Sequence, residues 1–107
     1  MSAWMEPPRH QGAQLYGRPA KSCHLMADST EELLQLAQAL GLKASWIQHC
    51  GTPKEHFDLI SSTKIAQAQR LGVQVVSRRE LVQRLRWRRK HQYTGTVIPP
   101  YQSKEAS

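Results

Sequence analysis

The chain has 107 residues, 39% hydrophobic and 21% charged, with a formal net charge of +7. That length suits one small domain with short tails, and the composition excludes a largely disordered middle. No apolar run reaches the ~18 residues of a membrane span, and residues 1–10 lack the apolar core of a secretory signal. Two cysteines, Cys23 and Cys50, are too few for a disulfide framework or a Cys-x-x-Cys zinc site, so reduced thiols in a cytoplasmic setting are expected.

Residues 1–5 read as a short strand cut off by Glu6-Pro7-Pro8. Residues 9–20, with Gly12, Gly17 and Pro19, read as an extended loop. Residues 21–26 alternate as a strand, placing Ser22, His24 and Met26 on one face and Cys23 and Leu25 on the other. Ser29 stands three residues before Glu32 as a capping box, and Leu33, Leu36, Ala37 and Leu40 recur at helical spacing over residues 30–40, with Gly41 at the stop. Residues 43–49 suggest a helical turn or short strand with Trp46 and Ile47 in the core. Thr52-Pro53-Lys54-Glu55 repeats the cap pattern over about one turn. Residues 56–60 read as a strand or ordered loop.

A second helix is expected over residues 62–71, with Ile65, Ala68 and Leu71 on one face and Gly72 ending it. A β-branched strand follows at 73–76. Ser77 and Glu80 form another capping box before a helix over 78–90, with Leu81, Val82 and Leu85 as its apolar stripe and Trp87 beside it. From Gln92 onward Gly95, Pro99 and Pro100 suggest a loosely attached, flexible tail. Short strands alternating with amphipathic helices imply an α/β fold. We expect a small single domain over residues 1–91, a short partly parallel sheet with about three helices in two or three layers, and a C-terminal tail over 92–107.

The charge is uneven. Residues 78–91 hold seven Lys/Arg against one Asp/Glu, a net +6 of the total +7. Such a local cluster is a candidate footprint for phosphates, so nucleic acid or a nucleotide is an expected partner. Arg78, Arg79, Arg84, Arg86, Arg88, Arg89 and Lys90 are the candidate contacts. They wrap around the helix, which suits non-specific phosphate binding better than base readout. Trp87 and Tyr93 are candidates for base stacking, with packing the commoner role for Trp87.

Two short clusters carry other chemistry. Cys23-His24-Leu25-Met26-Ala27-Asp28 ends the strand before the first helix. His56-Phe57-Asp58 follows later, with His49 upstream and Lys64 downstream. Residues i and i+2 of a strand share a face, so His56 and Asp58 point together. Open α/β sheets bind ligands beyond the carboxyl ends of strands, where Asp28 is expected. His24, Asp28, His56 and Asp58 form a candidate site for a divalent metal or for acid–base work. The plainer reading makes Asp28 a helix cap and His24 a structural polar residue. Cys23 beside His24, and Cys50 beside His49, form no dyad, because strand neighbours face opposite ways.

Several of these blocks together resemble the bacterial and bacteriophage "domain of unknown function 4031" family. They are Cys23-His24-Leu25-Met26-Ala27-Asp28, Glu31-Glu32-Leu33, Trp46-Ile47-Gln48, His56-Phe57-Asp58-Leu59, Lys64 to Gly72, and the strand at 73–76. The resemblance covers roughly residues 2–86. It implies that His24, Asp28, His56, Asp58 and Lys64 recur together, but no activity. Trp4-Met5-Glu6 stands where the family carries a Tyr-Val-Asp-like strand end, and the spacing from Asp58 to Lys64 is a residue longer than in many members. Three functions follow as expectations: a basic module binding nucleic acid or nucleotide phosphate, a small metal-dependent hydrolase or phosphoesterase with Lys64 stabilising an anionic transition state, or a phage accessory protein binding a host or virion protein.

Overall fold

The structure is a computed structural model that describes residues 3–96 and residue 101. Its elements in order are β1 (Ala3–Met5), β2 (Arg9–Leu15), β3 (Arg18–Ala27), α1 (Thr30–Ala39), a 3-10 turn (Ala44–Trp46), β4 (Phe57–Ile60), α2 (Ser62–Arg70), β5 (Gln74–Val75) and α3 (Arg78–Lys90). Met1, Ser2 and most of the expected tail lie outside the described residues.

The long strand β3 organises the sheet. Along one edge it pairs antiparallel with β1 (Met5 opposite Leu25) and then with β2 (Arg9 opposite Ser22). Its other edge takes β4, with Ser22 opposite Ile60 and Leu25 opposite Phe57. β5 adds a parallel pairing with β1, Trp4 opposite Gln74 and Met5 opposite Val75. The sheet is therefore mixed, as its short strands and intervening helices imply.

The expected loop over 9–20 is instead a β-hairpin. Tyr16 and Gly17 take φ of +52° and +76°. Positive φ at both central residues is what a two-residue hairpin turn demands, because it matches the twist of the flanking strands. The register shift between His10 and Gln14 takes up the irregularity around Gly12.

Helix starts follow the caps. Ser29 Oγ accepts from Glu32 N at 3.2 Å, and Ser77 Oγ accepts from Glu80 N at 3.0 Å. Ser61 caps α2 in the same way through Lys64 N at 3.3 Å.

Strand alternation divides the sheet into two faces. Met5, Cys23, Leu25, Ala27, Phe57 and Leu59 pack against α1 and α2, and Leu25, Leu33 and Leu59 are fully buried (0%). Each such side chain contributes about 1.5–3 kcal/mol of transfer free energy. The opposite face carries Trp4 and Met26, which are covered by Val76, Leu81 and Leu85. The result is three layers, with α3 alone on the second face.

Three packing expectations change. Trp46 is 54% exposed, not core, since only Ile47 of that turn reaches inward. Val82 is 45% exposed. The inward positions of α3 are Leu81, Leu85 and, one turn later, Arg88. The chain after α3 also does not leave at once. Tyr93 is buried, and Thr30 N donates to Gly95 O at 3.0 Å. Gly95 has φ of +98°, and a Cβ there would stand 2.5 Å from Thr30 Oγ1. Glycine is needed for both reasons.

Candidate metal centre

Beyond the part of the second face that α3 covers, the same strands present polar groups in a row. Trp4 pairs with Met26 and Met5 with Leu25, so Glu6, the residue just past β1, comes to His24, whose backbone N donates to Glu6 Oε1 at 3.3 Å. His24 in turn pairs with Asp58 across β3 and β4. His56 sits two residues before Asp58 on the same face. It is held by a two-way backbone bridge with Gln48, with N···O distances of 2.9 and 3.1 Å.

The hydrogen bonds orient both imidazoles. His56 Nδ1 lies 2.6 Å from the Lys54 carbonyl oxygen. A carbonyl only accepts, so Nδ1 carries the proton and Nε2 keeps its lone pair. His24 Nδ1 lies 3.2 Å from Glu6 Oε1, which places its proton in the same way. Both Nε2 atoms then converge on one oxygen. Each is 3.5 Å from Asp58 Oδ1, and the rings are 4.5 Å apart. The other oxygen of Asp58 accepts a hydrogen bond from Gln48 Nε2, which fixes the carboxylate plane.

This arrangement suits a metal. His24, His56 and Asp58 each offer one donor atom, all within 4.8 Å of one another. Ligands about 2.1 Å from a tetrahedral ion stand roughly 3.4 Å apart, close to the spacing of each Nε2 from Oδ1. The carboxylate behind His24 and the carbonyl behind His56 are the outer groups that orient metal-binding imidazoles. The His24 and Asp58 side chains are 40% and 37% exposed, so a coordination position faces solvent. Burial lowers the pKa of His56, and neighbouring His24 and His49 lower it further. The Lys54 carbonyl and Asp58 pull the other way. The net effect keeps this imidazole neutral, as a ligand must be. Across the sheet, burial first, then Glu6 and Asp58, push the Cys23 thiol up to about 12, so it is no thiolate ligand.

Two expected members stand elsewhere. Asp28 is four residues beyond His24, about 13 Å along an extended chain, and its charge favours buried Arg88. It lies outside the metal-capable cluster. Lys64 Nζ donates to the Leu40 carbonyl at the end of α1, which leaves it no role at the histidines. The centre also lies on the open sheet face, not at the strand ends where Asp28 was expected to mark it.

The basic helix is sorted by burial. Arg88 is fully buried and donates to the carbonyls of Ala27, Pro53 and Glu55. Its guanidinium lies 4.2 Å from the Tyr93 ring and 5.1 Å from Trp4. Desolvation lowers its pKa, while Tyr93, Glu55 and Asp28 oppose that shift. Arg88 is thus a strut and not a surface phosphate contact. Arg84 pairs with Glu80 at 3.4 Å and lies over Trp4 and Tyr101. Arg78, Arg79, Arg86, Arg89 and Lys90 remain exposed. At 3.6 residues per turn, Arg79, Arg86 and Lys90 fall within about 40° of one another and form one stripe, while Arg78 and Arg89 lie about 60–120° to one side of it. Trp87 packs on His91 at 3.9 Å and on Tyr101 at 5.8 Å, which confirms packing as its role. Tyr93, buried beneath Arg88, is not a stacking surface.

Four supporting residues escaped sequence reasoning. Glu6 and Gln48 position the centre. Glu55 and Tyr93 anchor the loop that carries His56. Glu55 is fully buried and accepts from Tyr93, from Thr30 and, at 3.1 Å, from Gly51 N. Burial raises the Tyr93 pKa, and the Glu55 hydrogen bond adds to it.

Residues 8–88 match the model of a family described as protein of unknown function (DUF4031). Glu6 and Tyr93 lie outside that span. No curated protein and no solved structure matches the chain. Among the described residues, no helix is long and apolar enough to cross a membrane.

Proposed function

The chain belongs to the DUF4031 family, whose description assigns no activity, and from the geometry we propose that it is a divalent-metal-binding hydrolase domain acting on phosphate esters. The observation that supports this most is the convergence of His24 Nε2 and His56 Nε2 on Asp58 Oδ1, with both Nδ1 atoms already committed to acceptors. Two imidazoles, one carboxylate and an open side are a donor set for zinc or a similar ion. A bound ion of this kind would activate water and polarise a phosphoryl oxygen.

The chain's own residues supply the rest. Glu6 and the Lys54 carbonyl hold the imidazoles, and Gln48 holds Asp58. The anionic substrate class is suggested by the surroundings. Arg9, exposed, pairs with Ser22 one step along the face from His24. Lys54 and Arg89 line a common cleft of about 70 Å³ between α3 and the loop carrying His56. Positive charge of this kind raises the local concentration of phosphates.

The test is metal uptake by chelator-treated protein, followed by turnover of an activated phosphodiester. One zinc or manganese ion per chain is expected. His56→Ala should weaken uptake by at least about 100-fold with an unchanged circular dichroism spectrum. Wild-type protein that takes up no metal would overturn the reading. Metal uptake without turnover of any phosphoester would remove the hydrolase and leave a metal-binding module.

A second reading has an observation of its own. The exposed stripe of Arg79, Arg86 and Lys90 would contact a nucleic-acid backbone without reading sequence. Its signature is affinity that falls steeply with salt.

A further inference from the structure

A second cationic feature lies away from both the metal centre and α3. No Asp or Glu occurs between Glu6 and Asp28, while Arg9, His10, Arg18 and Lys21 do. The β2–β3 hairpin orders these groups. Leu15 pairs with Arg18 at the hairpin end, a position that alternates to the opposite sheet face, whereas His10 pairs with Lys21 and shares its face. Lys21 is in register with Cys23, so this face turns toward α2. There Ser61 N donates to the Lys21 carbonyl at 3.0 Å. Between the hairpin and the start of α2 lies a cleft of about 700 Å³, lined by His10, Tyr16, Arg18, Lys21, Ser61 and Ser62 among others. No acidic residue lines it. Among the described residues His10, Arg18 and Lys21 have no ion-pair partner.

At the tip stands Tyr16, 96% exposed. An aromatic ring offered almost wholly to water gains nothing from folding. The turn nevertheless places it at the mouth of a cleft lined by unneutralised cations.

We propose that this cleft binds a nucleotide unit of single-stranded nucleic acid, with a base stacked on Tyr16 and its phosphates held by Arg18 and Lys21. The chemistry is that of single-strand binding surfaces: an aromatic platform for the base, which every base can use, and a cationic groove for the backbone. A duplex hides the faces of its bases, so single strands are the preferred partner. The site rests neither on the metal reading nor on the α3 stripe.

The experiment is fluorescence anisotropy with a short labelled oligothymidylate and with the matching duplex, on the full chain in chelator. Wild type should bind the single strand at low salt and the duplex more weakly. Tyr16→Ala should weaken single-strand binding about tenfold, since stacking on one aromatic carries roughly that much. Tyr16 is exposed, so the fold should survive, and circular dichroism verifies it. Arg18→Ala with Lys21→Ala should reduce the salt slope by about two phosphate contacts. His56→Ala and the pair Arg86→Ala, Arg89→Ala should keep the dependence on Tyr16. Thymidine monophosphate should compete poorly, because one phosphate meets few of the cations. Competition by the monophosphate at equal concentration would overturn the strand as the ligand. Absence of wild-type binding, or affinity unchanged in Tyr16→Ala, would overturn the site itself.

Discussion

The two faces of the sheet use the same strands and end in opposite conditions. On one, Cys23, Leu25 and Leu59 meet α1 and α2 and leave no room for water. On the other, α3 covers only Trp4 and Met26, and one step further the strands carry Glu6, His24 and Asp58 in partial contact with solvent. The difference teaches where each property resides. Stability is concentrated beneath α1 and α2, and chemistry is concentrated where the second face outruns its single helix.

The comparison breaks most severely at the strut joining the regions. Arg88→Ala should destabilise by about 3–5 kcal/mol in urea unfolding, because it strips partners from the buried carbonyl contacts at Ala27 and Glu55 and the half-buried one at Pro53, and leaves Glu55 without its neighbouring charge. A loss under ~1 kcal/mol would show that α3 does not hold the loop carrying His56. Leu59→Ala should cost about 2–5 kcal/mol through the cavity it opens, while metal affinity stays near wild type in whatever protein remains folded.

Glu6→Gln should do the reverse. Calorimetric titration should show zinc affinity falling about 10–100-fold with a melting temperature within a few degrees of wild type. Equal affinity would mean that Glu6 does not orient His24.

A smaller effect concerns pH in metal-free protein. His56 has a lowered pKa in the fold, so the unfolded chain takes the proton first. His24, His49, Asp58 and the Lys54 carbonyl face this ring. Its contribution is complete above about pH 6.5 and declines as pH falls below that value, by at most about 1.4 kcal/mol per unit. His56→Gln should flatten that part of the stability profile, and an unchanged slope would assign it to other groups. The smallest perturbation is thiol labelling. Exposed Cys50 should react with iodoacetamide in minutes, while Cys23, buried and pushed up to about 12, reacts only on unfolding.

Much of this was legible from local pattern. Ser29 with Glu32 and Ser77 with Glu80 place two helices to within a residue at each end, because a cap satisfies nearby backbone groups. Alternation puts His24 with Met26 and His56 with Asp58, since a strand's two-residue period is local. Three misreadings share a different origin. Gly12, Gly17 and Pro19 suggest a loop, but left-handed φ at Tyr16-Gly17 closes a hairpin whose strand pairing is non-local. Arg88 reads as surface charge, although its spacing after Leu81 and Leu85 already marks the inward face. Asp28 and Lys64 read as site members because they are close in sequence or recur in the resemblance, yet neither reaches the histidines.

By itself, then, the sequence determined the helices, the two-sided character of β3 and β4, the excess of charge on α3 and the pairing of His56 with Asp58. These depend on neighbours within about one turn or one strand period. Only the tertiary structure decided that Glu6, His24 and Asp58 form one row and that Gln48 clamps the carboxylate. It also decided that one arginine of the basic helix is interior while others form a stripe. Those outcomes require strand register and helix placement, set by burying apolar area among residues distant in the chain, and no local window contains that information.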